Sequence, residues 1–466
     1  PRIFFDNNAV IQTEYRQANK SSNGIIDFSI NRDNSSTSSH LFSNFYGKLK
    51  NTSNIEINFQ QVTSDKYLKI YDLKSPLINN RTTLNNFVKI DNFSDDYQYK
   101  ISFETFEDLS KGKSDRFEYI YPNYRYSKDI NNSKFSKGSL NFESHGYQKQ
   151  YNTNTYDGVL INNINFESMP SYTKKGIKNN YQILFRNVNS KASNSANYDN
   201  NENSKLLSSL LFNTKFPLYK KTSKSQNYLT PIASFRLSPN KTKNIRNLDR
   251  AVNYNNIFSL DRFGKDDLVE GGGSITLGLE YSNKNKNNKE IINLALANVF
   301  RPSKNDDLPI NNSIGEKRSD IIGRVNFIPS NNFNLDYEFS LDNNLKDSNL
   351  NLIRTNFSVN NFVTSFEFLE EDNLMGNKSY VSNKTTFNFD NNNSISFKTN
   401  KDLDKNITEY YNLIYEYKND CLVAGVEYNK SNYADGELKP EENLFFKIKI
   451  IPFGEVNTPY IINENE

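Results

Sequence analysis

The sequence predicts an all-β chain, a single large antiparallel transmembrane β-barrel of about two dozen strands, each about the ten residues that a tilted membrane strand needs. Three observations predict it. Apolar and polar residues alternate along segment after segment, which is the period of two that a strand requires. The composition is aromatic but poor in aliphatics, with 29 Tyr and 34 Phe in 466 residues that are only 35% hydrophobic. With a mean hydropathy of −0.77, such a chain suits a polar interior with an apolar outer band edged by rings, whereas disorder would deplete those rings. Finally, no run of about 18 apolar residues is present, so no membrane helix is expected and a closed barrel is the other way to span a bilayer.

Taken in order, residues 1–5 run out, turn at Asp6-Asn7-Asn8, continue through 9–17 and return through 24–30 as a meander. In 54–62, Ile55, Ile57 and Phe59 oppose Glu56, Asn58 and Gln60; in 97–103, Tyr97, Tyr99, Ile101 and Phe103 oppose Gln98, Lys100 and Ser102. After Gly271, Gly272 and Gly273, the row Ile275, Leu277, Leu279 and Tyr281 faces away from Thr276, Gly278 and Glu280. The row Phe333, Leu335, Tyr337 and Phe339 alternates the same way, and both rows are expected to face lipid. The last clear strand is 443–453, with Lys447 and Lys449 on its polar face and Pro452 near its end. Segment 63–77 alternates poorly and reads as a short helix or a loop.

No shift in composition divides the chain, so residues 1–466 are read as one outer-membrane barrel domain with a long outer loop at 238–268, a closing hairpin at 408–453 and a tail at 454–466. Asn/Asp turns such as 6–8 and 390–393 contrast with longer connections near 106–115, 148–156, 190–203, 238–268 and 302–319, the asymmetry of barrels with brief turns on one side and long loops on the other. The long loop is expected to fold inward over the lumen, with Phe258 packed and Asp261 and Arg262 held by polar partners. Net charge is +3, with 57 Lys plus Arg against 54 Asp plus Glu mixed along every segment, so no field points to nucleic acid. The chain begins at Pro1 without a signal peptide, and a targeting sequence is expected upstream.

Catalytic constellations are thin, and no enzyme, cofactor or metal site is expected. The two histidines, His40 and His145, are too few for a His-based metal site. Ser144 and His145 are adjacent, and adjacent strand residues point to opposite faces, so they cannot share a proton; His145 reads as a turn histidine beside Gly146. The glycines 271–273 lack the Lys-Ser/Thr of a phosphate loop and enter a strand, so they read as a flexible or bulged strand entry. The single cysteine, Cys421, stands at a turn-to-strand junction: a small buried hydrophobe by itself, or one half of a bridge to a cysteine outside the chain.

Four passages resemble one family. NNIFSLDRF followed by VEGG (255–272) and a strand, the opening PRIFFDNNAVIQTEYRQ, FQQVTSDKYLKIY, and the closing YEYKNDCLVAGVEYNKSNYADGELKPEENLFFKIKIIPFG are similar, in the family's order, to the barrel domain of the LptD (organic solvent tolerance protein) family. The resemblance implies an outer-membrane translocon of a Gram-negative bacterium. Such a protein receives lipopolysaccharide from a periplasmic bridge protein, LptA, through an N-terminal domain, carries a plug lipoprotein, LptE, in its lumen, and releases lipopolysaccharide among outer-membrane lipids through a lateral opening beside its last strand. It further implies a disulfide from Cys421 to that N-terminal domain, and a lateral-gate role for the strand holding Lys447, Lys449 and Pro452. The family's jelly-roll domain and first strand or two are expected upstream of Pro1. Where family members often carry Asp-Arg before Val-Glu-Gly, this chain has Asp267 and Leu268, and Asp261-Arg262 stands ready to substitute. A passive porin or ligand-gated receptor barrel is the direct alternative, with an outer-membrane hydrolase or an adhesin behind it.

Overall fold

The computed structural model describes residues 2–3, 9–32, 37–50, 52–71, 73–112, 114–130, 137–249, 252–372, 376–432, 441–450 and 454–461. The fold class is the expected one. Among the described residues there are 27 strands, 24 of them eight residues or longer, and every pairing given for them is antiparallel. The described helical elements are one turn of α-helix at Tyr67–Ile70 and a 3-10 turn at Asn311–Ser313, so segment 63–77 combines both forms its sequence allowed. No described helix is long and apolar enough to cross a membrane, which says nothing about crossing by strands.

The chain divides into two compact units, residues 1–169 with 183–208, and residues 170–182 with 209–466. Within the first, each long strand pairs with the next in sequence, from Ala9–Ala18 and Ser22–Arg32 through Gly138–Tyr151 and Thr155–Ser168. Connections 19–21, 51–52 and 94–96 lie at one end; 63–82, 109–116, 152–154 and 194–202 lie at the other. The second unit repeats the asymmetry, with 286–289, 331–332, 360–361, 389–392 and 419–421 at one end, and 239–271, 301–320, 342–347 and 403–406 opposite. The short turns follow from Asn/Asp chemistry: Asp390 Oδ1 accepts from the backbone N–H of Asn392 at 2.7 Å and of Asn393 at 2.8 Å, closing the turn with a side chain.

Burial alternates in the opposite sense to a soluble protein. Ser274 and Thr276 are 3% and 2% exposed, whereas Ile275 and Leu277 between and beside them are 46% and 47% exposed. In the first unit Asp27, Ser29 and Asn31 are buried while Ile26, Phe28 and Ile30 are exposed. Apolar rows on the open face and polar rows on the covered one are what a sheet with lipid outside requires, since a charge on the lipid face costs roughly 2–4 kcal/mol at the midplane. Phe339 departs from its row by being buried. Its ring lies where a side chain on Gly323, its cross-strand partner, would stand, so the missing Cβ lets the ring lie flat on the sheet.

Three expectations need correction. The strand read at 443–453 runs as Glu441–Ile450 and is not the last: Gly454–Ile461, expected as a tail, pairs with it antiparallel from Ile450↔Gly454 to Asn443↔Ile461. The mixed residues GEVNTPYI and Pro459 blur the period that would have revealed it. His145 is in mid-strand, opposite Ile161, and Gly146 is no turn; the glycine gives room to the Tyr124 ring, 3.1 Å from where its Cβ would be. The long connection read at 148–156 is a three-residue turn at 152–154, with Asn152 and Thr153 in the left-handed region. The turn at Asp6-Asn7-Asn8 lies outside the described residues.

Candidate functional site

The long loop, 239–271, has its own core in the second unit. Val252, Tyr254, Ile257, Phe263 and Leu268 from the loop pack with Ala295, Ala297 and Val299 of strand Glu290–Phe300, and with Leu308, Ile314 and Ile322. The alanines matter because small side chains on that face of the strand let the loop lie close. Phe258 packs against this cluster, tilted edge-on to Tyr254 at 5.8 Å. Its Cζ lies 2.4 Å from where a Cβ on Gly278 would be, so the glycine in the polar row of strand Gly272–Asn285 is the seat for that ring. Tyr254 donates to Glu280 Oε1 at 3.0 Å on the same row. Burial and the neighbouring Glu280 carboxylate push the Tyr254 hydroxyl well above its ordinary range. The loop therefore covers the sheet face opposite the exposed Ile275 and Leu277.

At its base sits Glu270, buried and surrounded by three buried guanidiniums. Arg262 donates through Nε to Oε2 at 2.5 Å and through Nη2 to Oε1, and also reaches Ser274 Oγ at 3.1 Å. Arg236, from strand Ser225–Ser238, donates to Oε2 at 3.4 Å and to the Ser259 carbonyl. Arg301, just past strand Glu290–Phe300, donates to Oε1 and, at 2.9 Å, to the Ile314 carbonyl. Burial alone would raise the Glu270 carboxyl, but the charges of Arg262, Arg236 and Arg301 outweigh it and hold the group well below the carboxylate range. A carboxylate so saturated is no base. It joins two strands and two loops through charge-assisted hydrogen bonds.

The glycine run after Glu270 is shaped by contact. A Cβ on Gly271 would lie 2.3 Å from the Asn240 carbonyl oxygen and 2.9 Å from the Thr242 nitrogen, while the Gly271 N–H donates to Thr242 Oγ1 at 2.8 Å. Gly272 has φ +80, a conformation that favours glycine. Asn305 Nδ2 also donates to Thr242 Oγ1, at 2.8 Å, tying the 301–320 connection to the same point.

Of the residues read from the sequence, the structure brings Phe258 and Arg262 into this assembly. Asp261 is half-buried and near enough to act electrostatically on Arg236. Asp267 pairs with Lys243 Nζ at 2.5 Å, at the loop's edge. Leu268 is buried in the apolar core, and Arg262 is an arginine partner of Glu270. Cys421 is an exposed free thiol at the short-turn end, not a buried hydrophobe. Lys447 and Lys449 stand opposite Asn457 and Glu455 in the backbone register, and Pro452 lies outside the described residues. The sequence reading missed Glu270, Arg236 and Arg301 as a set. The signal available was a lone carboxylate directly before a glycine run, an arginine at a covered-face position of its strand and another just past a strand's end.

A second anchored loop occupies the first unit. Tyr67 and Leu68, from the one-turn helix, pack with Val10, Phe42, Leu73, Leu84 and Leu109. Tyr67 Oη lies 2.9 Å from Ser29 Oγ, which lies 2.6 Å from His40 Nδ1, and His40 Nε2 is 3.5 Å from Asp27 Oδ1. All four side chains are buried. Serine, histidine and aspartate are adjacent here, but the hydroxyl is held by Tyr67 and all four side chains are 1% exposed or less. Ser144, by contrast, bonds Tyr124 and Asn162 on the face opposite His145.

No curated protein matches the chain significantly. Among solved structures, the siderophore receptor PirA from Acinetobacter baumannii is similar at 8% identity with a TM-score of 0.34, over 93% of this chain and 74% of that one, a likeness too slight to carry an argument. The family model for LPS transport system D, LptD, matches residues 36–373. That span holds both anchored loops and well over half of the chain, and on it the chain belongs to the LptD family.

Proposed function

We propose that the chain forms the membrane-spanning part of an outer-membrane lipopolysaccharide translocon, which inserts lipopolysaccharide into the outer leaflet through a lateral opening. The family match over residues 36–373 carries this reading. The inside-out burial of both units supports it, because a polar covered face suits sugars in water and an apolar open face suits acyl chains. The proposed partners are lipopolysaccharide, a plug lipoprotein of the LptE type, surrounding outer-membrane lipids and, through a domain outside this chain, a periplasmic bridge of the LptA type. Cys421, at the short-turn end, is proposed to face the periplasm and to bond a cysteine outside the chain.

The C-terminal hairpin, Glu441–Ile450 with Gly454–Ile461, is the proposed edge of the opening. Pro459 has no N–H to give and so weakens any ladder on its side, which suits a seam that must part. The test is a pair of engineered cysteines locking 454–461 to the barrel's first strand in the full-length protein. Oxidised cells are expected to stop displaying lipopolysaccharide, and reductant to restore it. Normal display by locked cells would leave a porin or receptor barrel as the better account.

A further inference from the structure

In the first unit, the open face of strands Thr155–Ser168 and Lys178–Ser193 is apolar where Leu160, Ile164 and Phe185 stand exposed, with Val159, Ile161 and Leu184 buried behind them. A polar row crosses this same face. Tyr124 Oη lies 3.1 Å from Ser144 Oγ, and Ser144 donates to Asn162 Oδ1 at 2.8 Å. Asn162 Nδ2 donates to Asn187 Oδ1 at 3.4 Å, Asn189 Nδ2 to the same oxygen at 2.6 Å, and Ser204 to Asn189 Oδ1 at 2.7 Å. Groups that satisfy one another in this way avoid the full cost of facing hydrocarbon, but a sheet of valine and leucine would avoid it altogether.

Beside it, towards the long-loop end, lies a cavity of about 600 Å³ lined by Tyr124, Gln148, Tyr156, Asn189, Lys191 and Glu202, among others. Gly158 is part of its lining, with the Tyr156 hydroxyl 2.6 Å from where a Cβ on it would be, and the Tyr124 ring on the cavity wall lies over Gly146. A side chain at either position would collide with the tyrosine that lines the hollow. Lys191 and Glu202 pair at 2.9 Å, so the rim carries no net charge to attract a phosphate. What remains is tyrosine rings for an apolar sugar face, and amide and hydroxyl groups that both donate and accept, the match for vicinal hydroxyls.

We propose that this concavity holds the uncharged sugar headgroup of a glycosylated membrane lipid, whose acyl chains lie along the Leu160 and Ile164 positions. The inference rests on the membrane-spanning reading of this face but not on lipopolysaccharide export. The experiment uses the full-length protein with its partner, in nanodiscs of phosphatidylethanolamine containing a minor fraction of monoglucosyl diacylglycerol. Lipid retained on the protein is read by native mass spectrometry. The glucolipid is expected to be retained in preference to phosphatidylethanolamine. Asn189→Leu with Ser204→Val, which removes both members of a hydrogen-bonded pair, should lower retention by about tenfold or more. Gln148→Leu, at an exposed position that does not threaten folding, should weaken it in the same direction, and Phe357→Leu, an exposed apolar position in the second unit, should leave it unchanged. Equal retention of phosphatidylethanolamine, displacement by free methyl glucoside as effective as by the lipid, or undiminished retention in both cavity variants overturns the proposal. Since export is not the readout, normal retention in a protein that fails to export would overturn only the transport reading.

Discussion

Replacing Glu270 by Gln keeps the shape at the base of the long loop and removes its charge. Three guanidiniums, all with side chains 2% exposed or less, would then share no carboxylate. Removing one partner of a buried ion pair typically costs 3–5 kcal/mol, because the remaining charge is left uncompensated in a low dielectric. If the loop opens as a unit, about 3 kcal/mol raises its open population by about 100-fold. Hydrogen exchange of peptides across 252–271 in the folded full-length protein should speed by that factor, and trypsin should cut at exposed Lys265. The pH dependence has a definite sign. The folded pKa of Glu270 lies below its ordinary value of 4.5, so the stabilisation is fully present above that pH and declines only as pH falls through the lower folded value. Wild-type protection should thus be level from neutrality down to pH 5. Glu316→Gln, which breaks only the exposed pair with Lys304, should leave it unchanged. Exchange in Glu270→Gln no faster than in wild type would refute the anchor.

Gly271→Ala should destabilise the loop base by about 1–3 kcal/mol, as overpacking against backbone does, whereas Gly273→Ala, whose Cβ would meet nothing nearer than the Arg236 carbonyl at 3.9 Å, should be tolerated; the same exchange measurement separates them. Tyr67→Phe removes one hydrogen bond to Ser29 and should loosen residues 63–82 by about 0.5–1.5 kcal/mol, read as faster exchange there and nowhere in the second unit. Leu277→Lys should cost roughly 2–4 kcal/mol of folding stability in lipid vesicles, and a cost near zero in a urea titration would mean that this row does not face hydrocarbon. Cys421 of the reduced full-length protein should react with an impermeant maleimide from the periplasmic side only, and labelling from the cell surface would reverse the proposed orientation.

The alternation of Ile275 and Leu277 with Ser274 and Thr276 was legible because a strand's two faces are written in adjacent letters. So was the asymmetry of the connections, although their limits were not: the 152–154 turn was concealed by polar strand ends. The anchor around Glu270 was only half legible. The resemblance pointed to Arg262, eight residues away, but Arg236 and Arg301 arrive through strand pairing, and in sequence each is one more polar letter at a covered position. Strand Gly454–Ile461 was missed for the opposite reason, since its pairing is backbone work that Asn457, Thr458 and Pro459 do not advertise. The Tyr67–Ser29–His40–Asp27 chain needs three separate segments to meet, and no local pattern marks it.

The inside-out burial also bears on how such a chain travels before it folds. Because polar residues interrupt the apolar ones along the strands and no run of about 18 apolar residues occurs, no stretch of the unfolded polypeptide is greasy enough for hydrocarbon to retain it. Its apolar surface comes into being only when neighbouring strands pair and line up Ile275 with Phe235 and Phe300, or Leu279 with Pro231 and Leu296. Hydrophobicity is here a property of the hairpin and not of the segment. A chain of this kind can cross one membrane as a thread, remain wettable in the water beyond it, and become a membrane solute only at the place where its strands meet.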